Sequence, residues 1–161
     1  MPSLTVTLTA APTDAVRLLI GELEDVLSAK YPPENRHGLR LDAIFQPHVR
    51  FFVATFDGAP AGCGGVAFFD GFAEVKRMYV RPAARGQGVA RAILARIEAE
   101  TRAAYLPVLR LETGDKQVDA LRLYYHYGFT DCPPFGEYAG LPPHTIAASI
   151  FLEKPVGDAR G

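Results

Sequence analysis

The amino-acid sequence predicts a single α/β domain, of the α+β kind, built on a mixed and largely antiparallel central sheet. Three observations support this prediction. The 161 residues suit one buried core. Apolar, β-rich runs separated by Asp-Gly turns fill residues 49–80, which is typical of an antiparallel meander. A strand, a long amphipathic helix and a further strand then follow across residues 72–113, so these two strands should run parallel.

The N-terminal part of the chain predicts a strand, a helix and a loop. Residues 4–9 alternate between apolar residues and threonine, which favours a first strand. Apolar residues then recur at helical spacing across 16–27, after a cap at Thr13 or its neighbour and before the two prolines that follow Tyr31. Residues 34–48 are polar with few apolar anchors. They predict a loop with a short helix, of the kind that lines substrate pockets.

The middle of the chain predicts three consecutive antiparallel strands. Residues 49–56 and 61–69 form the first hairpin, joined through Asp57-Gly58, and residues 72–80 add the third strand. Three glycines lie inside the second of these strands. They indicate a bulge, a close backbone approach or plain flexibility, and the pattern does not separate these alternatives.

The C-terminal half predicts two helices and two strands within one domain of residues 1–155. The first helix is amphipathic, and Gly128 is suited to end the second as a C-terminal cap. In chain order we predict a helix from Val89 to about Tyr105, a strand at 108–113, a helix around 120–127, a Pro- and Gly-rich loop at 132–144, a strand at 145–152 and a flexible tail at 156–161.

Composition narrows the classes of function. Lys and Arg number 17 against 18 Asp and Glu, so the net charge of −1 gives no reason to expect nucleic acid or an acidic membrane as a partner. No apolar run approaches the ~20 residues that span a bilayer, and the N-terminus lacks the basic start of a secretion signal, so we expect a cytoplasmic protein. The two cysteines have no CxxC partner and the four histidines are scattered. We therefore expect no metal site.

One segment departs from this neutral background. Residues 75–97 carry six cations and no carboxylate, and the glycine turn Arg85–Ala90 lies at their centre, between a strand and a helix. A helix that begins there presents backbone N–H groups and the positive end of its dipole to an anion such as phosphate. The alternative is a solvated strand edge and helix face.

Two familiar phosphate motifs do not fit this turn. A P-loop requires Lys followed by Ser or Thr after its last glycine, where this chain has Val89-Ala90. A dinucleotide-binding fingerprint requires a third glycine, where this chain has Arg91. Both nucleotide interpretations are disfavoured.

Two motifs in this order resemble the GNAT superfamily of N-acetyltransferases, in its small single-domain bacterial form. The first is Arg85-Gly-Gln-Gly-Val-Ala90, which matches the pattern Gln or Arg, two residues, Gly, one residue, Gly or Ala. The second is an Ala-x-x-x-Tyr-x-x-x-Gly-Phe segment from Ala120 to Phe129. The resemblance covers roughly residues 51–129. It implies a GNAT-like sheet of about six or seven strands with helices on both faces and a splayed parallel pair at the cofactor site.

The resemblance also implies the cofactor, acetyl-coenzyme A, and the residues that contact it. The pantetheine would run beside the strand, in the gap where it splays from the next one. Gln117, which stands where many members have asparagine, is a further implied cofactor contact. The implied contacts are Met78, Tyr79 and Val80 for the pantetheine and Arg85, Gly86, Gln87, Gly88, Val89 and Ala90 for the pyrophosphate.

Acetyl transfer to an amine needs a neutral amine, a polarised thioester carbonyl and a proton for the departing thiolate. The resemblance implies that Tyr124 donates this proton; its alternative role is an aromatic packed on the sheet. Glu74 is the candidate base, and by alternation it should share a strand face with Lys76, Met78 and Val80. Its alternative role is a solvated sheet-edge charge. A backbone N–H near Tyr79 or Val80 would polarise the carbonyl.

The acceptor is expected to be a primary amine of a small molecule. It should attack directly in a ternary complex, because no cysteine is placed for an acyl-enzyme. Four residues are candidates for the acceptor site: Tyr31, Arg36, Glu137 and Tyr138. Glu137 could pair with a cationic amine, and Arg36 or Arg40 with a carboxylate. A non-catalytic acyl-coenzyme A module and an enzyme acting on protein N-termini or lysines remain alternatives. A homodimer is left open.

Overall fold

The computed structural model describes residues 3–157 and contains a seven-stranded sheet. Along the sheet the order is β1-β2-β3-β4-β5-β7-β6, and every neighbouring pair is antiparallel except β4 and β5. This confirms the predicted fold class. The strands are β1 (Leu4–Leu8), β2 (Val49–Phe56), β3 (Ala59–Phe69), β4 (Phe72–Val80), β5 (Val108–Gly114), β6 (Thr130–Asp131) and β7 (Ser149–Pro155). The α-helices of the described residues are α1 (Asp14–Lys30), α2 (Val89–Ala103) and α3 (Val118–Tyr127).

The helices cover both faces of the sheet. Helices α2 and α3 pack on one face, and α1 packs on the other. Phe51 and Phe52, neighbours on β2, show the division, because Phe52 joins the α2 side of the core and Phe51 joins the α1 side. Both rings are almost fully buried, so this alternation anchors the sheet between its two helical layers. No helix among residues 3–157 is both long and apolar enough to cross a membrane.

The first predicted hairpin is confirmed. Phe56 pairs with Ala59, which leaves Asp57 and Gly58 as a two-residue turn. Both turn residues have positive φ, 48° and 86°. Glycine and aspartate accept this conformation more readily than other residues do, and it matches the twist of the two strands.

A β-bulge interrupts β4 and reverses one prediction. Cys63 pairs with Tyr79 and Gly65 pairs with Lys76. Between these two pairs, β4 therefore contains one residue more than β3 does. Arg77 adopts a left-handed backbone, with φ 55°, at this position. The extra residue switches the faces of the strand beyond it. The prediction that Glu74 shares a face with Met78 and Val80 is therefore wrong.

The burial pattern confirms this switch. Met78 and Val80 pack against the α2 side of the core, whereas Tyr79 belongs to the α1 side and Glu74 contacts Tyr138. The glycines of β3 lie opposite the bulge, where the backbone approaches its neighbours closely. A Cβ on Gly64 would lie 2.8 Å from both Met78 Sδ and a methyl group of α2.

Strands β4 and β5 separate soon after they pair. Their parallel register comprises Ala73 with Leu109 and Glu74 with Arg110. Strand β5 continues to Gly114 while paired with β7 on its other side. The second half of β4 thus has no β5 partner within the described residues, and a gap opens between the two strands. This is the splayed parallel pair expected at the cofactor site.

The C-terminal region differs from the prediction in detail. Strand β7 spans 149–155 instead of 145–152, because Thr145 closes a 3-10 turn by donating its N–H to Pro142, 3.0 Å away. The short strand β6 was not predicted. Val156, which the sequence placed in a tail, is buried and donates its N–H to the Pro107 carbonyl at 2.9 Å. The remainder of the predicted tail, from residue 158 onward, lies outside the described residues.

Candidate active site

The gap between β4 and β5 widens into a cleft of about 980 Å³. Its walls come from α1, the second half of β4, the glycine turn, the start of α2 and α3 with the loop before it. Nearly all the residues that the sequence assigned to acetyl-coenzyme A line it: Met78, Tyr79, Val80, Arg85, Gly86, Gly88, Val89, Ala90 and Gln117. Gln87 does not line the cleft, since its side chain turns back and donates to the Ala83 carbonyl at 3.1 Å.

The glycine turn shapes one end of the cleft. Gly86 and Gly88 have φ of 77° and 82°, and Gly88 leads directly into α2 without a side-chain cap. The first intrahelical hydrogen bond runs from Ala92 N–H to the Gly88 carbonyl, 3.0 Å. The N–H groups of the first three helical residues therefore have no helical acceptor. They form an anion-binding end of α2 that borders the cleft.

The cationic segment is largely neutralised in the fold. Four of its six cations pair with carboxylates: Lys76 with Glu74, Arg77 with Glu24, Arg81 with Glu22 and Arg96 with Glu100. Among residues 3–157, Arg85 and Arg91 have no carboxylate within 4.0 Å, and both line the cleft. The positive charge available to a ligand is thus concentrated beside the free N–H groups of α2.

Two further cations of the cleft were not predicted from the sequence. Lys30 ends α1, and Lys116 lies in the loop between β5 and α3. The Lys30 ammonium donates to the Gln117 side-chain carbonyl at 3.0 Å, and the Lys116 ammonium donates to the Lys30 carbonyl at 3.2 Å. Residues 30 and 116 are distant in sequence, so no local motif joins them.

A second, smaller pocket of about 100 Å³ adjoins the cleft. The two cavities share Leu23, Met78, Gln117 and Tyr124 in their walls. The small pocket is lined by the end of α1, the loop at residues 35–38 and the splayed parts of β4 and β5. Two of the predicted acceptor residues, Tyr31 and Arg36, line it.

Tyr124 stands where the two cavities meet. Its ring packs edge-on against Phe129, 5.7 Å between centroids, and its side chain is buried. Within the described part of the chain its hydroxyl has no hydrogen-bond partner. Burial and the nearby Glu112 carboxylate raise the pKa of Tyr124 well above its ordinary value. The phenol is therefore held protonated, and it borders both cavities.

Glu112 is a pocket residue that sequence reasoning missed. It lies near the end of β5, lines the small pocket and accepts a hydrogen bond from Ser149 Oγ at 2.6 Å. Burial raises the pKa of Glu112 above its ordinary value. The position of Glu112 in the sequence could have indicated that it lines the pocket, because ligands of α/β sheets bind at the carboxyl ends of parallel strands.

Glu74 occupies a different environment. It is 4 % exposed and lines neither cavity. Its Oε2 lies 2.8 Å from the Lys76 ammonium and accepts a hydrogen bond from the Tyr138 hydroxyl at 2.7 Å. Burial, followed by the charge of Glu74, raises the pKa of Tyr138 far above its ordinary value. Tyr138 and the exposed Glu137 also lie outside both cavities.

Tyr31, at the end of α1, is held by polar contacts to the loop between β5 and α3. The Tyr31 hydroxyl accepts the Lys116 backbone N–H at 2.6 Å and is 3.3 Å from an Asp115 carboxylate oxygen. His37 also lines the pocket, with Nε2 2.7 Å from the Thr145 carbonyl oxygen. Among residues 3–157, no group of three or more His, Cys, Asp or Glu could hold a metal ion.

Comparisons with known proteins agree with this architecture. The family model described as an acetyltransferase (GNAT) domain matches residues 47–131. An IAA acetyltransferase of Azospirillum brasilense is 44 % identical over 97 % of this chain and 100 % of its own length. The uncharacterized N-acetyltransferase YedL of Escherichia coli is 32 % identical over 86 % of this chain and 88 % of its own.

Solved structures share the fold. A Klebsiella pneumoniae protein assigned to the acyl-CoA N-acyltransferases has a TM-score of 0.74 at 31 % identity, covering 96 % of this chain and 98 % of its own. A PaiA N-acetyltransferase of Thermoplasma acidophilum, solved with coenzyme A, has a TM-score of 0.70 at 14 % identity and covers 95 % and 99 %. The second likeness concerns the fold alone. With its family match and its well-covered relatives, this chain is an acetyl-transferring enzyme that belongs to the GNAT acetyltransferase family.

Proposed function

We propose that this enzyme transfers the acetyl group of acetyl-coenzyme A to a primary amine of a small molecule, by direct attack in a ternary complex. The observation that carries the proposal is the junction of two cavities at Tyr124. One is large and cationic, and the other is small and bears Glu112. The pocket of about 100 Å³ suits a small amine better than a polypeptide segment. The Azospirillum relative named for IAA supports a small-molecule acceptor.

The cleft residues fit the donor. The free N–H groups at the start of α2, together with Arg85 and Arg91, provide the donors and charge that a pyrophosphate requires. The half of β4 that has no β5 partner, including Met78 and Val80, offers backbone groups to the pantetheine. A backbone N–H near Tyr79 or Val80 is the proposed polarising group for the thioester carbonyl.

In the proposed reaction, one side chain accepts a proton and another donates one. Glu112 accepts a proton from the attacking amine, directly or through one water, and its raised pKa makes it a stronger base than an ordinary carboxylate. Tyr124 donates a proton to the departing thiolate, a role for which its raised pKa keeps it protonated. Glu112 replaces Glu74 in this proposal, because the Glu74 carboxylate is buried, is engaged by Lys76 and Tyr138, and borders neither cavity.

A thiol-release assay over a panel of small amines, with IAA included, tests the proposal. We expect Tyr124→Phe to lower kcat about 10²-fold while calorimetric affinity for acetyl-coenzyme A stays nearly unchanged. Tyr125→Phe is the matched control, since Tyr125 is on the same helix but is 46 % exposed and donates to Asp131 at 2.5 Å. Binding of acetyl-coenzyme A without thiol release for any amine would count against the proposal and favour a non-catalytic module.

A further inference from the structure

We infer that the small pocket recognises a carboxylate of the acceptor through Arg36 and Arg77, so that the acceptor is a small amino acid or a similar zwitterion. This inference rests on the proposed function, because it names the class of amine that enters the same pocket. Both arginines line that pocket, and so does Glu112. Cationic and anionic walls in one small cavity complement a molecule that carries both charges.

The two arginines share one carboxylate. Glu24, on α1, forms an ion pair with Arg77, and the other oxygen of the same carboxylate is 3.7 Å from Arg36 Nη1. The Glu24 side chain is 47 % exposed, whereas the Arg36 and Arg77 side chains are 25 % and 3 % exposed. Two largely buried guanidinium groups are therefore balanced by a single, half-solvated carboxylate.

Each guanidinium also has an unused donor. Among the described residues, the Nε atoms of Arg36 and Arg77 are the buried side-chain nitrogens and oxygens that lack a hydrogen-bond partner. A buried donor without an acceptor is destabilising, and the planar arginine fork matches the two oxygens of a carboxylate. Burial lowers the pKa of Arg77 to about 10, which still leaves it cationic at neutral pH. A carboxylate ligand would supply the missing acceptors.

The backbone of β4 brings Arg77 to this pocket. In an uninterrupted strand, residue 77 would share the α2 face with Ala73 and Val75; the bulge turns it to the α1 face instead. Its positive φ is uncommon for a residue that is not glycine. The loop adapts to this placement at Gly38, where any Cβ would collide with the Arg77 guanidinium.

The rest of the pocket is suited to the remainder of such an acceptor. Leu23, Leu27, Val75 and Leu111 provide an apolar lining, which favours a small apolar side chain. Glu112 borders the same space and is the proposed partner of the amine. The pocket thus offers separate surfaces for a carboxylate, an amine and an apolar group.

Matched acceptors test the inference. Leucine, valine and methionine are each compared with their α-amides and their decarboxylated amines, by calorimetry on the protein with coenzyme A and by thiol release with acetyl-coenzyme A. We expect at least one amino acid to bind about tenfold more tightly than both of its matched derivatives. Arg36→Gln should reduce this preference about tenfold.

Arg40→Gln is the control. Arg40 was the other arginine expected to pair with a carboxylate, but it lines neither cavity, is 88 % exposed and lies 3.9 Å from Asp42. This variant should keep the full carboxylate preference. Arg77→Lys keeps the charge but removes the fork, and it should also lower the preference. If the Arg77 variant fails to fold, Arg36→Gln still decides.

The two measurements separate this inference from the proposed function. Acetyl transfer to amines with no carboxylate preference, or a preference that survives Arg36→Gln, would overturn the inference and leave the proposed function standing. Carboxylate-dependent binding without thiol release would support the inference and count against acetyl transfer. The absence of binding by every amino acid tested would overturn the inference.

Discussion

The two cavities differ in how the chain builds them. The glycine turn and the strand wall of the cleft come from one continuous segment, residues 78–91, and the turn presents backbone N–H groups at the start of α2. The small pocket combines side chains from α1, the loop at 35–38, β4, β5 and α3. A cavity made of backbone should tolerate side-chain replacement and fail when its backbone is strained. A cavity made of side chains should show the opposite sensitivity.

The largest effect is expected in the small pocket. Glu112→Gln should lower kcat about 10²- to 10⁴-fold, because the amide cannot take a proton from the amine, while the Ser149 hydrogen bond can be kept. Saturating thiol-release kinetics measure the change, and calorimetry should give an unchanged affinity for acetyl-coenzyme A. Wild-type turnover in this variant would remove Glu112 from the mechanism.

Stability gives an independent check on the same variant. Burial raises the pKa of Glu112, so folding favours its protonated form, and this contribution to stability is lost as pH rises through the raised value. At neutral pH the wild-type carboxylate should therefore carry a cost that the amide does not. We expect Glu112→Gln to melt no lower than wild type at neutral pH, a result that a purely structural role for Glu112 would contradict.

The pH profile of kcat should also reflect the raised pKa of Glu112. The base must be ionised, so kcat should rise with pH through a value above the ~4.3 of an ordinary glutamate. Tyr124 must stay protonated, and its raised pKa places any loss at high pH beyond the ~10 of an ordinary tyrosine. The rise at low pH should disappear in Glu112→Gln. An unchanged profile in that variant would assign the rise to another group.

The next effect concerns the backbone of the cleft. Gly88→Ala should weaken binding of acetyl-coenzyme A about tenfold, since alanine disfavours the φ of 82° that aims the start of α2. Gly71→Ala is a matched control, because Gly71 has a φ of 85° and, like Gly88, open space where a Cβ would lie. Both variants should lose about 1–2 kcal/mol of stability from the left-handed backbone. Equal affinities in the two variants would show that the turn is not part of the cofactor site.

The same contrast explains what the sequence could predict. The strands, the hairpin at Asp57-Gly58 and the glycine turn depend on neighbouring residues, and most of the predicted cleft residues do line the cleft. The faces of β4 could not be predicted correctly by alternation, because the bulge at Arg77 is set by the pairing of β4 with β3 and reverses the faces beyond it. Glu112, Lys30 and Lys116 reach the site through the three-dimensional arrangement of distant segments.

The smallest expected effect tests which charges strengthen the binding of acetyl-coenzyme A: only those that line the cleft, or all those of the basic segment. Arg91 and Arg96 are both on α2 and both lie over aromatic rings, at 5.7 Å from Tyr127 and 4.9 Å from Phe52. Arg96 is paired with Glu100 at 3.6 Å, whereas Arg91 lines the cleft. Arg91→Gln should therefore raise the Kd for acetyl-coenzyme A about two- to fivefold at low salt, and Arg96→Gln should leave it unchanged.

Ionic strength makes this comparison sharper. An exposed arginine acts over distances comparable to the Debye length, ~10 Å at 0.1 M salt and ~3 Å at 1 M, so the difference between the Arg91 variant and wild type should shrink as salt is added. Titration calorimetry at low and high salt measures this. Equal losses in the two variants would mean that the cleft responds to the total charge of α2. A loss of affinity confined to Arg91→Gln would mean that the ion pair with Glu100 prevents Arg96 from contributing to binding. The contributing charge would then lie beside the free N–H groups of α2.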